Sequence, residues 1–125
     1  YKKIGTRVGV DSADPHQLIV MLFDGALERI AVAKGAMERK DIELKGQKIG
    51  RAIALIGGLR ASLDKDKGDD IAINLDNLYD YMQRRLFEAN TENNFVYLDE
   101  VSGLIQEVKS AWITIPLEVR MRTHS

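Results

Sequence analysis

No cysteine occurs in these 125 residues, so neither a disulfide nor a thiolate metal site holds the chain together, and a reducing compartment such as the cytosol is the expected setting. Proline is nearly as scarce. The two prolines, Pro15 and Pro116, stand near opposite ends, leaving a long stretch between them free of the ring that breaks helices. An excess of positive charge is also missing: 18 Lys and Arg face 19 Asp and Glu, for a net charge of -1 and a pI near 6.2. Binding to nucleic acid, which needs a basic footprint, is not expected. The longest mostly apolar run, Leu18 to Phe23, falls far short of the ~20 residues of a membrane-spanning helix. Tyr1 to Pro15 lacks the apolar stretch of a secretory signal. Membrane insertion is therefore not expected.

What remains is helix-period sequence in a length that suits one hydrophobic core. Ile19, Phe23, Ala26, Ile30, Ala33 and Met37 alternate steps of four and three, which writes one apolar stripe along a helix. Asp14 is suited to cap this helix and Pro15 to occupy its first position. Asp41 opens a second helix carrying Ile49, Ala52, Ile56, Leu59 and Leu63, and the charged run Asp64 to Asp70 reads as a solvated turn. A third stripe runs through Ile71, Leu75, Leu78, Met82, Leu86 and Ala89, ending in the polar cluster Asn90 to Asn94. A fourth runs through Leu98, Val101, Ile105, Val108 and Trp112 before Pro116, because the residue before proline avoids the α region. These spacings predict helices over 15–39, 41–64, 69–91 and 97–114. The predicted fold is all-α, a single domain over 1–125 built as an antiparallel four-helix bundle, with an extended N-terminal segment and a short C-terminal tail.

Catalytic and metal-binding residue types are as sparse as cysteine. The two histidines are His16 and His124, and neither follows a glutamate at the Glu-x-x-His spacing of di-iron bundles. His16 reads as an exposed first-turn residue. Gly57-Gly58 is followed by Leu59-Arg60, not by the Lys-Ser or Lys-Thr of a phosphate loop. No metal, cofactor or enzymatic activity is expected, and binding is the function class left.

The second helix carries an unusual expense for a helix: Gly46, Gly50, Gly57 and Gly58, each disfavoured by ~1 kcal/mol relative to Ala. Gly46, Gly50, Ile53 and Gly57 recur at steps of four, three and four, a smooth flank beside the core stripe. Such a flank suits either a groove for a guest helix or close packing of a neighbouring helix of the same bundle. On the third helix, Tyr79 and Tyr81 flank the stripe, placed to bury their rings and keep their hydroxyls in water. Ile73 and Phe87 fall on its outer face.

The chain resembles the flagellin-specific export chaperone family, FliS. The resemblance is carried by the N-terminal Tyr1, Ser12-Ala13-Asp14-Pro15, the string Gln17 to Ala26, Ile53 to Asp64, Asn74 to Met82, Leu86 with Ala89-Asn90, Leu98 to Val101 and Ala111-Trp112. It implies a cytosolic secretion chaperone that binds the disordered C-terminal segment of flagellin, prevents premature polymerisation and aids export. It further implies hand-over to the flagellar export gate and, in some members, contact with an anti-sigma factor. Carried over by residue, the partner surface comprises Ile53, Gly57, Leu75, Leu78, Tyr79 and Met82, with Tyr1 and Ile4 as a movable cover; the expected free state is a monomer or weak dimer. The alternative is a regulatory or self-associating helical-bundle adaptor without an export client.

Overall fold

The computed structural model describes residues 14–64 and 70–114. Among them lie four helices: α1, Pro15–Glu38; α2, Ile42–Ala61; α3, Asp70–Glu92; and α4, Phe95–Ile113. They form the all-α bundle that the apolar periodicity predicts. The expected N-terminal segment and the tail from Leu117 to Ser125 lie outside the described residues, as do Tyr1 and Ile4.

Three of the four helices, α1, α2 and α4, begin where side-chain chemistry provides a cap. The Asp14 carboxylate accepts from the Gln17 amide at 2.7 Å, Asp41 from the Leu44 amide at 3.2 Å and Asn94 from the Val96 amide at 2.9 Å, each satisfying a donor that the first turn leaves without a carbonyl. The Asn94 cap starts α4 at Phe95, ahead of the predicted residue 97. At the other end of α2, the Ser62 amide donates to Gly58 O at 3.1 Å and its hydroxyl to Leu59 O at 2.7 Å, which closes the helix at Ala61 before the predicted 64.

Two tight reversals share one end of the bundle. After α1, Lys40 turns to φ 61 while its amide bonds Met37 O at 3.1 Å and the Asp41 amide bonds Ala36 O at 2.8 Å. That pair of bonds around a left-handed residue is the Schellman closure. Asn93 does the same after α3, with φ 56 and the Asn94 amide on Ala89 O at 3.0 Å. Asparagine tolerates this conformation better than lysine does.

Side-chain contacts between helices fix an antiparallel square in which α1 packs on α2 and α4, and α3 packs on α2 and α4. Lys34 reaches Asp99 at 2.9 Å, Lys109 reaches Asp24 at 2.6 Å, and Arg60 reaches Asp76 at 2.8 Å, so sequence numbers rise along one helix as they fall along its neighbour. The interior is filled by Phe23, Ala26, Ile30 and Ala33 of α1, Ile49, Ala52, Ile56 and Leu59 of α2, Met82, Leu86 and Ala89 of α3, and Leu98, Val101 and Ile105 of α4. Close alternation of bulky and small side chains lets near-parallel helices interlock.

Three expectations fail. His16 is buried, with 4% exposure, because the Trp112 ring stacks over it at 5.0 Å. The stripe of α3 starts one residue later than drawn: Ala72 is buried while Ile71 is 67% exposed. A one-residue shift rotates a helical side chain by about 100°, so the larger side chain lost to the better-directed small one. Tyr79 does not keep its hydroxyl in water; the residue is 3% exposed, and the hydroxyl makes no hydrogen bond among the described residues.

Candidate functional site: two helix seams

Along α3, one flank meets α2 and the other meets α4. Asp76, Asp80 and Gln83 lie on the first. The Arg60 guanidinium donates from Nε to Asp76 Oδ1 at 2.8 Å, from Nη2 to Asp76 Oδ2 at 3.2 Å, and from Nη1 to Asp80 Oδ1 at 3.1 Å and Gln83 Oε1 at 2.9 Å. The Gln83 amide in turn donates to Ile53 O at 3.0 Å. The Asp76 bond, followed by the charges of Asp76 and Asp80, pushes the Arg60 pKa up, so this cation stays charged at any working pH.

The glycine flank of α2 lies under this polar lattice. A Cβ placed on Gly57 would stand 3.4 Å from Gln83 Nε2, and one on Gly46 4.0 Å from Asn90 Nδ2, whereas one on Gly50 would meet nothing within 4 Å. The Gly46 and Gly57 ends thus face side chains of the chain's own third helix at ordinary contact distance. Gly50 alone opens onto free space. Gly58 belongs to another seam, facing Leu22 of α1 at 3.5 Å.

The opposite flank of α3 is closed at one end and open at the other. At the closed end, Arg85 donates to Glu100 Oε1 at 2.8 Å and to Glu88 at 3.1 Å, and its guanidinium sits 3.9 Å from the centroid of the Tyr97 ring. Tyr81 adds a hydroxyl donated to Glu100 at 2.5 Å. The Tyr81 hydroxyl first, and then Arg85, hold the Glu100 carboxyl below the usual carboxylate range.

Following the register of these contacts toward the start of α3 places Leu78 opposite Leu104 and Leu75 near Val108. All four are half-buried and packed against the core from its edge, with exposed Ile71 beyond them. This half-buried apolar strip along α3 and α4, called the furrow below, is made of leucine and valine rather than glycine.

The expected partner residues thus separate into three groups. Ile53 and Gly57 sit at the α2–α3 seam beneath Gln83. Leu75 and Leu78 line the furrow. Met82 and Tyr79 are interior, at 0% and 3% exposure. Leu104 and Val108 were not singled out as partner residues, although Leu104 stands one turn beyond Glu100 on the α3-facing side and its apolar type at that register was the available signal. Among the described residues no group of three or more His, Asp or Glu side chains is placed to hold a metal ion, and no helix is long and apolar enough to cross a membrane.

The described residues form a small antiparallel helical bundle with half-buried apolar side chains at its edges. The sequence profile of the family described as flagellar protein FliS matches residues 1–118. The flagellar secretion chaperone FliSB of Pseudomonas aeruginosa is 54% identical over 112 residues, covering 90% of this chain and 89% of that protein. The flagellar secretion chaperones FliS of Vibrio cholerae and Salmonella typhimurium are 42% and 45% identical, over 94% and 90% of this chain and 87% and 84% of theirs. The chain belongs to the FliS family.

Proposed function

We propose that this chain is a cytosolic flagellar secretion chaperone whose client is the C-terminal segment of flagellin, held unpolymerised until export. Family membership carries this reading, and the furrow gives it a physical site. An amphipathic client segment that is unfolded when free would lay apolar side chains along Leu75, Leu78, Leu104 and Val108, and would reach Ile53 and Gly57 across the top of α3. Ordering such a segment on binding lowers its net affinity, which suits a client that must later be released. Tyr1 and Ile4 would act as a cover displaced by the client. Hand-over to the export gate, and contact with an anti-sigma factor, are further expectations of the same reading.

Titration calorimetry with a peptide spanning the flagellin C-terminal segment tests it. The expected result is a saturable complex at tens of micromolar or tighter, weakened by Leu78→Asp. Absence of heat and of complex at those concentrations overturns it. A stable dimer of the free protein in sedimentation, disrupted by the same substitution, would favour the self-associating adaptor instead.

A further inference from the structure

At the end of the bundle where both tight reversals lie, away from the furrow, there is a pocket of about 200 Å³ lined by Ala36, Met37, Lys40, Asp41, Ile42, Lys45 and Asn93. Ligand pockets for drug-sized molecules run to roughly 300–1,000 Å³. This one has room for one aliphatic side chain.

Lys45 gives the pocket its chemistry. The residue is 7% exposed. Its ammonium donates to Asn90 O at 3.1 Å and to Asn93 Oδ1 at 2.9 Å, and it forms no ion pair among the described residues. An ammonium has three donors, so one is left over, and a buried cation without a counter-charge is rare because of its desolvation cost. The end of α3 compensates part of that cost, since helix C-termini favour positive charge. A carboxylate would compensate the rest.

Two further features point to an anionic group. The first amides of α2 have no carbonyl within the helix to bond, and Lys40 adds a second positive charge to the wall. The carboxylate already in the lining, Asp41, is engaged by the Leu44 amide at 3.2 Å as the helix cap. At the lip stands Ile42, whose 74% exposure is the highest of the described chain's exposed large hydrophobic residues.

We propose that this end pocket is a docking site for a partner polypeptide, taking one leucine-like side chain flanked by a carboxylate that pairs with Lys45. The proposal is independent of the flagellin reading, because none of the pocket's lining residues is among those that reading assigns to the client.

Amide NMR of the full chain tests it, with acetyl-Leu-Glu-amide, acetyl-Leu-Gln-amide and 4-methylpentanoate as probes. The glutamate peptide is expected to shift amides of residues 36–46 and 93 and to bind about tenfold more tightly than the glutamine peptide, the gain of one charge-assisted bond. Lys45→Met should abolish that preference. Because it also strips the α3 terminus of a cap, Ile42→Ser serves as a second variant: at an exposed site it should weaken both peptides severalfold and leave the preference intact. Equal affinity for the two peptides, shifts located elsewhere, an unchanged preference in Lys45→Met, or unchanged affinities in Ile42→Ser would each overturn the proposal. Tighter binding of 4-methylpentanoate than of the glutamate peptide would also overturn it, assigning the pocket to a free small acid.

Discussion

His16 and Trp112, 96 residues apart, exchange hydrogen bonds through each other's backbone: His16 Nε2 donates to Trp112 O at 2.8 Å, and Trp112 Nε1 donates to His16 O at 3.1 Å. Their rings stack with an interplanar angle of 10°. The start of α1 is thereby clasped to the end of α4, and the first of these bonds requires a proton on Nε2.

Trp112→Phe keeps a stacking ring and removes the indole donor, so a loss of about 1 kcal/mol in unfolding free energy is expected. His16→Ala removes both ring and bond and should cost about 2–3 kcal/mol. Urea denaturation followed by far-UV circular dichroism measures both. Since Trp112 is the chain's single tryptophan, its fluorescence also reports directly on the clasp in His16→Ala.

Gly50→Ala should raise stability by about 0.5–1 kcal/mol, because the new methyl meets nothing and the helix loses an entropic cost. Gly57→Leu is different, since its side chain must displace the Gln83 amide from Ile53 O. If the client crosses this seam, Gly57→Leu lowers client affinity by more than it lowers stability, which calorimetry and denaturation on the same sample compare.

Tyr79 is set apart from the other tyrosines by burial, which pushes its pKa up to about 12. A raised folded-state value means that its contribution to stability is intact below the ordinary tyrosine pKa near ~10 and is lost as pH rises toward the folded value. Unfolding free energy should therefore fall between about pH 10 and 12, less so in Tyr79→Phe. The same substitution removes a hydroxyl without a hydrogen bond among the described residues, so at neutral pH it should be neutral or stabilising.

Glu100 has the opposite sign. Its folded-state pKa is depressed by the Tyr81 and Arg85 bonds, so its contribution is present above the ordinary glutamate range and is lost as pH falls through the folded value. Glu100→Gln should be less stable than the parent at pH 7, and the gap should close on acidification; in a Tyr81→Phe background the gap at pH 7 should be narrower.

The helices and their shared interior were legible because large apolar residues dominate all four stripes. Where a stripe ended on an unexpected residue type, legibility failed. Stepping back three residues from Ile19 lands on His16, and stepping back four from Ile49 lands on Lys45; both continue the buried face, yet polar identity argued against burial. Their partners, Trp112 O and the end of α3, are contributed by distant sequence, which no local pattern reports. The glycine flank was visible as a pattern, but which neighbour approaches it is settled by Gln83, a polar residue on the facing helix. Leu75 and Leu78 continue the core stripe in sequence, yet stand half-buried at its edge, a degree of exposure that apolar spacing does not report.

The two left-handed residues, Lys40 and Asn93, divide the molecule into a pair of helical hairpins, each folded back on itself by neighbours close in the chain. Topologies dominated by such short-range pairing collapse on microsecond to millisecond timescales. A protein wired this way is expected to regain its shape almost at once should its hairpins part.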